Sequence, residues 1–424
     1  MYGTLTSKHI DFLAAPPAYD DRAPGGSIAH SMPIDSINIH GKVFINECDV
    51  RTSLAEPIQR KYGAPKSLKQ SSENIKHFLG YSLVHQNYGW YLEPGAPTDK
   101  REQWFNNSQL AVTMSDLNDS FHKYTEQKNE FKTEIAVIWD KFGGFDTTFT
   151  IQGDSVSNHF SNPGSLQINE MLRMEANRIG APVNFYLIED LVNGFVPENI
   201  KLFIFVNTWG MTKELRTSLK TELMRRKAAE MWFYGSAYVD RTENVLSLDA
   251  MNDLMGMHFS VDDSWGKMEI ELNSQGRNKF IELNEITGVP YRYRKTGLGL
   301  HSSFTPSVPS IDYYSPFFSV IDDAGTEMLG NYKNKGAIAL AHKKTDDRDI
   351  YYSGSPFASC NILREIAKCA GVHIYLDSND ALYMNGDIML LHAATSGEKS
   401  ICFPDGKTRK LNMKKGKTEI FTIK

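Results

Sequence analysis

The sequence predicts an α/β fold assembled from parallel strands, followed by a small antiparallel β-segment. Three observations carry this. Apolar runs alternate with helical patterns from residue 11 to 124, a second alternation runs from 133 to about 377, and the remainder is short strands and turns. At 424 residues the chain exceeds one ordinary hydrophobic core, which predicts two or three domains.

In the first part, "DFLAAP" (11–16), "KVFINE" (42–47) and "GWYLEP" (89–94) read as strands. Between the last two, Ile75, Phe78, Leu79, Ser82 and Leu83 recur at helical spacing, with Ser71 or Ser72 as the expected N-cap. A further helix is expected from about Trp104 to Tyr124. A polar, lysine-rich stretch (123–132) then marks a boundary. Beyond it, "TEIAVIWD" (133–140), "VNFYLIED" (183–190), "KLFIFVN" (201–207) and "AEMWFYG" (229–235) are near-continuous apolar strands. Helices are expected over 165–178 and 213–228, so a doubly wound, flavodoxin-like sheet is predicted. The helix 360–371 and the strand "VHIYLD" (372–377) are expected to return to that sheet. From 378 onward a small antiparallel β-domain is expected, with "PDGK" as a hairpin turn.

Hydrophobic residues make up 41% of the chain and charged residues 23%, with a formal net charge of −5 and no basic run. Nucleic acid and anionic membrane surfaces are therefore poor partners, and no apolar stretch is long enough to span a bilayer. The first ten residues contain no signal-peptide core, which leaves cytoplasm and periplasm both open. Cys48, Cys360, Cys369 and Cys402 form no C-x-x-C pair or zinc spacing, so they are read as reduced or incidental and no metal is expected.

The chemistry-bearing stretch is "HGKVFINECDVRT" (40–52), where a buried strand ends in Glu47, Asp49 and Arg51. In a (β/α)8 barrel, catalytic groups stand at the carboxyl ends of strands, where Glu47 lies. Asp49 and Arg51 are expected to support it, since a nearby cation and hydrogen-bond donors favour a carboxylate. The structural alternative is a loop salt bridge after an ordinary strand. In the second part, "FYGSAYVD" (233–240) lacks the glycine pattern of a nucleophile elbow at Ser236, and His373 lacks a His-x-Glu partner, so no hydrolase triad is expected there.

Taken together, "DFLAAPPAYDDRAPGG", "GKVFINECDVRT" and "NYGWYL" resemble the second half of a clan-A glycoside hydrolase barrel, and in particular the β-galactosidases of glycoside hydrolase family forty-two. "NRIGAPVNFYLIEDL" and "AGVHIYLDSNDALYMNGDIMLLHAATSGEKSICFP" resemble the trimerisation domain and terminal β-domain of the same enzymes. The resemblance implies a partial (β/α)8 barrel (strands six to eight) over 1–130, an amidotransferase-like trimerisation domain over 131–377 and a small β-domain over 378–424. It makes Glu47 the nucleophile of a retaining enzyme acting on terminal β-glycosidic bonds of a carbohydrate substrate, chemistry that needs no cofactor. Trp90, Tyr19 and Arg22 become candidate sugar-binding residues.

A complete barrel takes ~250 residues, and the acid/base that follows the fourth strand in clan-A enzymes has no counterpart here. The chain alone is therefore expected to be inactive; a homotrimer is expected, and a separate chain bearing the other half-barrel is a candidate partner. The alternative is a non-catalytic assembly or carbohydrate-binding protein derived from such an enzyme.

Overall fold

The computed structural model describes residues 2–18, 21–55, 64–93, 103–125, 133–146, 163–281, 283, 313–321 and 324–423. It is a mixed α/β structure that divides into two compact units. The first comprises Met1–Thr133, Ala176–Asn184 and His373–Lys424, and the second Glu134–Glu175 and Phe185–Val372.

The first unit is built on three parallel strands, Phe12–Ala15, Val43–Cys48 and Tyr88–Tyr91, in that spatial order. Along the middle strand, Phe44, Asn46 and Cys48 are buried, whereas Val43, Ile45 and Glu47 alternate with them on a less covered face. The buried face meets the helix Leu68–Val84, whose Ser82 hydroxyl accepts from the Asn46 amide at 2.8 Å. That helix starts one turn earlier than its apolar spacing suggests. Ser67, rather than Ser71 or Ser72, is the N-cap and accepts from the Gln70 N–H, while Ser71 and Ser72 are buried inside the helix. A second helix, Ser108–Thr125, packs beside it, and Ile75, Phe78, Leu110 and Leu117 fill the common core.

The C-terminal strands Ala381–Asn385, Ile388–His392 and Thr418–Thr422 form an antiparallel sheet within this same unit. They lie against the helix Leu68–Val84 at Gly80, where a Cβ would stand 2.3 Å from Leu390 Cδ1. A glycine is what permits that approach. The hairpin Gly397–Cys402 and Thr408–Met413 completes the segment.

The second unit carries an eight-stranded sheet. Its five leading strands stand in the spatial order Val183–Leu187, Ile135–Trp139, Leu202–Val206, Ala229–Phe233, Asp349–Ser353, followed by Ile338–Lys344, Thr326–Tyr332 and Ile270–Leu272. The first five thus follow the order 2-1-3-4-5 of flavodoxin-like sheets. The fifth place belongs to Asp349–Ser353, parallel to Ala229–Phe233. Residues 372–377, expected to be a strand of this sheet, are irregular instead. The N–H groups of Tyr375 and Leu376 donate to Gly180 O in the first unit, leaving no ladder to join. The expected strand over 183–190 likewise stops at Leu187, and Ile188–Val192 turns into a short helix.

Candidate functional site at the end of the middle strand

Parallel register pairs Glu47 with Trp90 and Asn46 with Gly89, so the expected nucleophile and the expected sugar platform are neighbours on one face. That face is open. Phe12 is 57% exposed, Val43 39%, Tyr88 51% and Trp90 38%, and all four lie on the side of the sheet away from the helix Leu68–Val84. Parallel sheets ordinarily have both faces covered, so a bare apolar face on one is unusual. Glu47 itself is half-buried, and its carboxylate makes no hydrogen bond or ion pair among the described residues.

The charge expected around Glu47 is organised about Asp49 instead. Arg22 donates to Asp49 Oδ1 at 2.6 Å with both side chains almost fully buried, and Arg51 approaches Asp49 Oδ2 at 3.5 Å. Arg22 also donates to the carbonyls of Ala18 (2.8 Å) and Pro17 (2.6 Å), and its guanidinium lies 5.4 Å from the Phe78 ring centre. Such a fully engaged arginine holds loops together, so the side chain expected to face a sugar points into the protein. Arg51 lies over the Trp104 ring at 5.0 Å. Tyr19 lies outside the described residues.

Two groups at this end of the sheet escaped the sequence reading. Glu93 receives the N–H groups of Trp104 (2.8 Å) and Phe105 (3.0 Å), and the Thr52 hydroxyl donates to Trp104 O. The chain after Cys48 and the chain after Tyr91 are thereby tied together. The signal available was a lone carboxylate just past a strand, followed by proline, with nothing to say that its partner would be backbone. Cys48, behind Glu47, is inert: burial pushes its thiol up to about 12.

In the second unit the strand Ala229–Phe233 does end in a tight turn, with Tyr234 at φ 49° and Ala237 at φ 63°. The left-handed position is thus filled by a buried tyrosine. Ser236 is fully buried, donates to Phe233 O at 2.8 Å and pairs with the Thr208 hydroxyl at 2.9 Å. His373, in the first unit, meets Cys402 O at 2.9 Å through Nε2. Among the described residues no cluster of His, Cys, Asp and Glu has metal-binding geometry, and no helix is long and apolar enough to cross a membrane.

A parallel β/α sheet with a carboxylate at the carboxyl end of a strand is the arrangement in which β/α enzymes keep their chemistry. The fold is similar to that of solved GH42 β-galactosidases. A cold-adapted beta-galactosidase from Rahnella sp. R3 matches 97% of this chain with a TM-score of 0.63 at 10% identity. The GH42 beta-galactosidase Gan42B from G. stearothermophilus matches 97% with a TM-score of 0.59 at 10% identity. A beta-galactosidase from the Antarctic haloarchaeon Halorubrum lacusprofundi matches 97% with a TM-score of 0.57 at 11% identity. The match covers 60%, 59% and 63% of those three chains, so this chain spans less than two thirds of their length. No protein-family model and no curated protein matches the sequence.

Proposed function

We propose that this chain carries the nucleophile half of a retaining glycoside hydrolase acting on terminal β-galactosides. The observation that carries the reading is the pairing of Glu47 with Trp90 on an open face at the carboxyl end of a parallel sheet. A carboxylate without a partner among the described residues, beside an exposed indole, can place an anion under the anomeric carbon while the ring covers the apolar face of the sugar. In this reading Glu47 attacks that carbon and forms a glycosyl-enzyme. A second carboxyl group about 5 Å away would protonate the leaving oxygen and later activate water. The Arg22–Asp49–Arg51 cluster supports the strand end rather than the sugar, and Tyr19 remains a candidate on the sequence resemblance alone.

Residues 1–130 then correspond to barrel strands six to eight, 131–377 to an amidotransferase-like assembly domain that forms a homotrimer, and 378–424 to a terminal β-segment. The bare face of the three-stranded sheet is where the other barrel strands would close, from a separate chain or from further sequence of the same protein. A non-catalytic sugar-binding role is the second reading, favoured by the exposed pair Tyr88 and Trp90.

A galactoside fluorinated at its second carbon and bearing a dinitrophenolate leaving group separates the two, because that group departs without protonation. Prolonged incubation should add one fluorogalactosyl group to the peptide containing Glu47, read by mass spectrometry, and none in Glu47→Gln. Binding of the reagent with no covalent adduct would favour the second reading. An adduct that persists in Glu47→Gln would remove Glu47 from the mechanism.

A further inference from the structure

The loop between Ala15 and Ile34 carries Arg22, which holds Asp49 two residues beyond Glu47. That loop is itself fastened by groups far away in sequence. The Gly25 N–H donates to His392 Nε2 at 2.8 Å, and the Ile28 N–H donates to the Tyr383 hydroxyl at 3.1 Å. Arg178 reaches Asp21 Oδ2 at 2.7 Å and Gly25 O at 3.2 Å, and the Asn177 amide donates to Ile28 O at 2.6 Å. Gly25 has φ +89°, and a Cβ there would meet Lys415 at 2.9 Å, so the backbone needs glycine to present its N–H to the imidazole.

The acceptor role of Nε2 fixes the His392 tautomer. Nδ1 carries the proton and donates to the Thr418 hydroxyl at 2.8 Å, which donates in turn to Glu73 O at 2.8 Å. The ring is stacked on His77, with centroids 3.8 Å apart and planes 9° from parallel. His77 Nε2 lies 3.1 Å from the Tyr383 hydroxyl. Around this pair stand Arg178, with Lys415 beside Gly25 and Lys417 near Glu73. The neighbouring carboxylates are engaged elsewhere, Asp21 with Arg178 and Glu73 with Lys76 and the Thr418 N–H. Among the described residues no carboxylate hydrogen-bonds the His392 ring.

We propose that His392 is a positioning residue for the Glu47 strand end: its neutral ring holds the Gly25 amide and the loop bearing Arg22, and a proton taken from solvent onto Nε2 releases that loop. Protonation puts an N–H against the Gly25 N–H and adds charge to a stacked histidine pair beside a buried arginine. Burial and Arg178 together lower His392 to about 3. Burial, then His392 and Arg178, hold His77 well below its ordinary range. Release lets His392 return towards 6.5, so the loop is fully held above that pH and loosens as the pH falls below it. At about pH 5 the opening equilibrium should rise about thirtyfold. The functional meaning rests on the reading of Glu47 as the working carboxylate, but the release does not.

Hydrogen exchange of the full chain, corrected for intrinsic rates, tests this at about pH 7.5 and about pH 5. The peptide 16–31 should lose protection at the lower pH while the strand Val43–Cys48 keeps its own. In His392→Gln, whose amide oxygen can accept from Gly25 without titrating, the loop should be insensitive to pH. Unchanged loop protection in the wild type overturns the proposal, whether or not the variant folds. So does simultaneous loss in both peptides, or an equal pH response in His392→Gln. The fluorogalactosyl adduct on Glu47 is a separate readout, so failure of the chemistry and failure of the latch are distinguishable.

Discussion

Replacing Arg22 by alanine perturbs the most heavily used side chain near the Glu47 strand end. The substitution removes the 2.6 Å contact to Asp49, both carbonyl contacts and the packing on Phe78. Asp49, 4% exposed in its side chain, is left with Arg51 at 3.5 Å. Removing one partner of a buried ion pair costs about 3–5 kcal/mol, because the remaining charge stays desolvated. For a unit of about 200 residues, at roughly 2–4 °C per kcal/mol, its melting transition should fall by roughly 6–20 °C. Urea titration followed by tryptophan fluorescence reads both units, with Trp90 and Trp104 in this one and Trp139, Trp209, Trp232 and Trp265 in the other, so hydrogen exchange of the peptide containing Val43–Cys48 identifies which transition has shifted. The double variant Arg22→Met, Asp49→Leu should be markedly more stable than Arg22→Ala, because apolar groups of similar size carry no stranded charge. A loss below about 1 kcal/mol for Arg22→Ala would refute the reasoning, since that is the range of a solvent-exposed pair. A double variant no better than the single one would also refute it.

Stability should depend on pH through His392 and His77, whose folded-state values are both depressed. Their contribution is complete above about pH 6.5 and is lost as the pH falls. At pH 5 His392 alone should account for about 2 kcal/mol, measured as a pH series of urea midpoints against His392→Gln. Gly80→Val should cost about 1–3 kcal/mol by thermal denaturation, since the new side chain meets Leu390 and Ile420 of the C-terminal sheet. A thiol reagent at neutral pH should modify the exposed Cys369 and Cys402, leaving the buried Cys48 and Cys360 untouched until denaturant is added.

The sequence by itself determined the positions of most strands and helices and the placement of Glu47 at a strand end. Those features follow from local pattern: the apolar run 43–45 and the i, i+3, i+4 spacing along 75–83 mark a strand and a helix wherever the segments end up, whereas the exposure of Val43 beside buried Phe44 came only with the fold. The tertiary structure decided what each polar group does. Arg22 looked available for a sugar because its partner Asp49 lies 27 positions away, and the Gly25–His392 bond spans 367. Residues 372–377 have the composition of a strand, yet Asp349–Ser353 occupies the fifth parallel place, and their N–H groups turn to Gly180. The loop anchor and the histidine tautomer each depend on which distant segment supplies the facing donor or acceptor. A hydrogen bond requires its partner within about 3 Å, and spacing along one strand or helix carries no information about what comes that close from elsewhere.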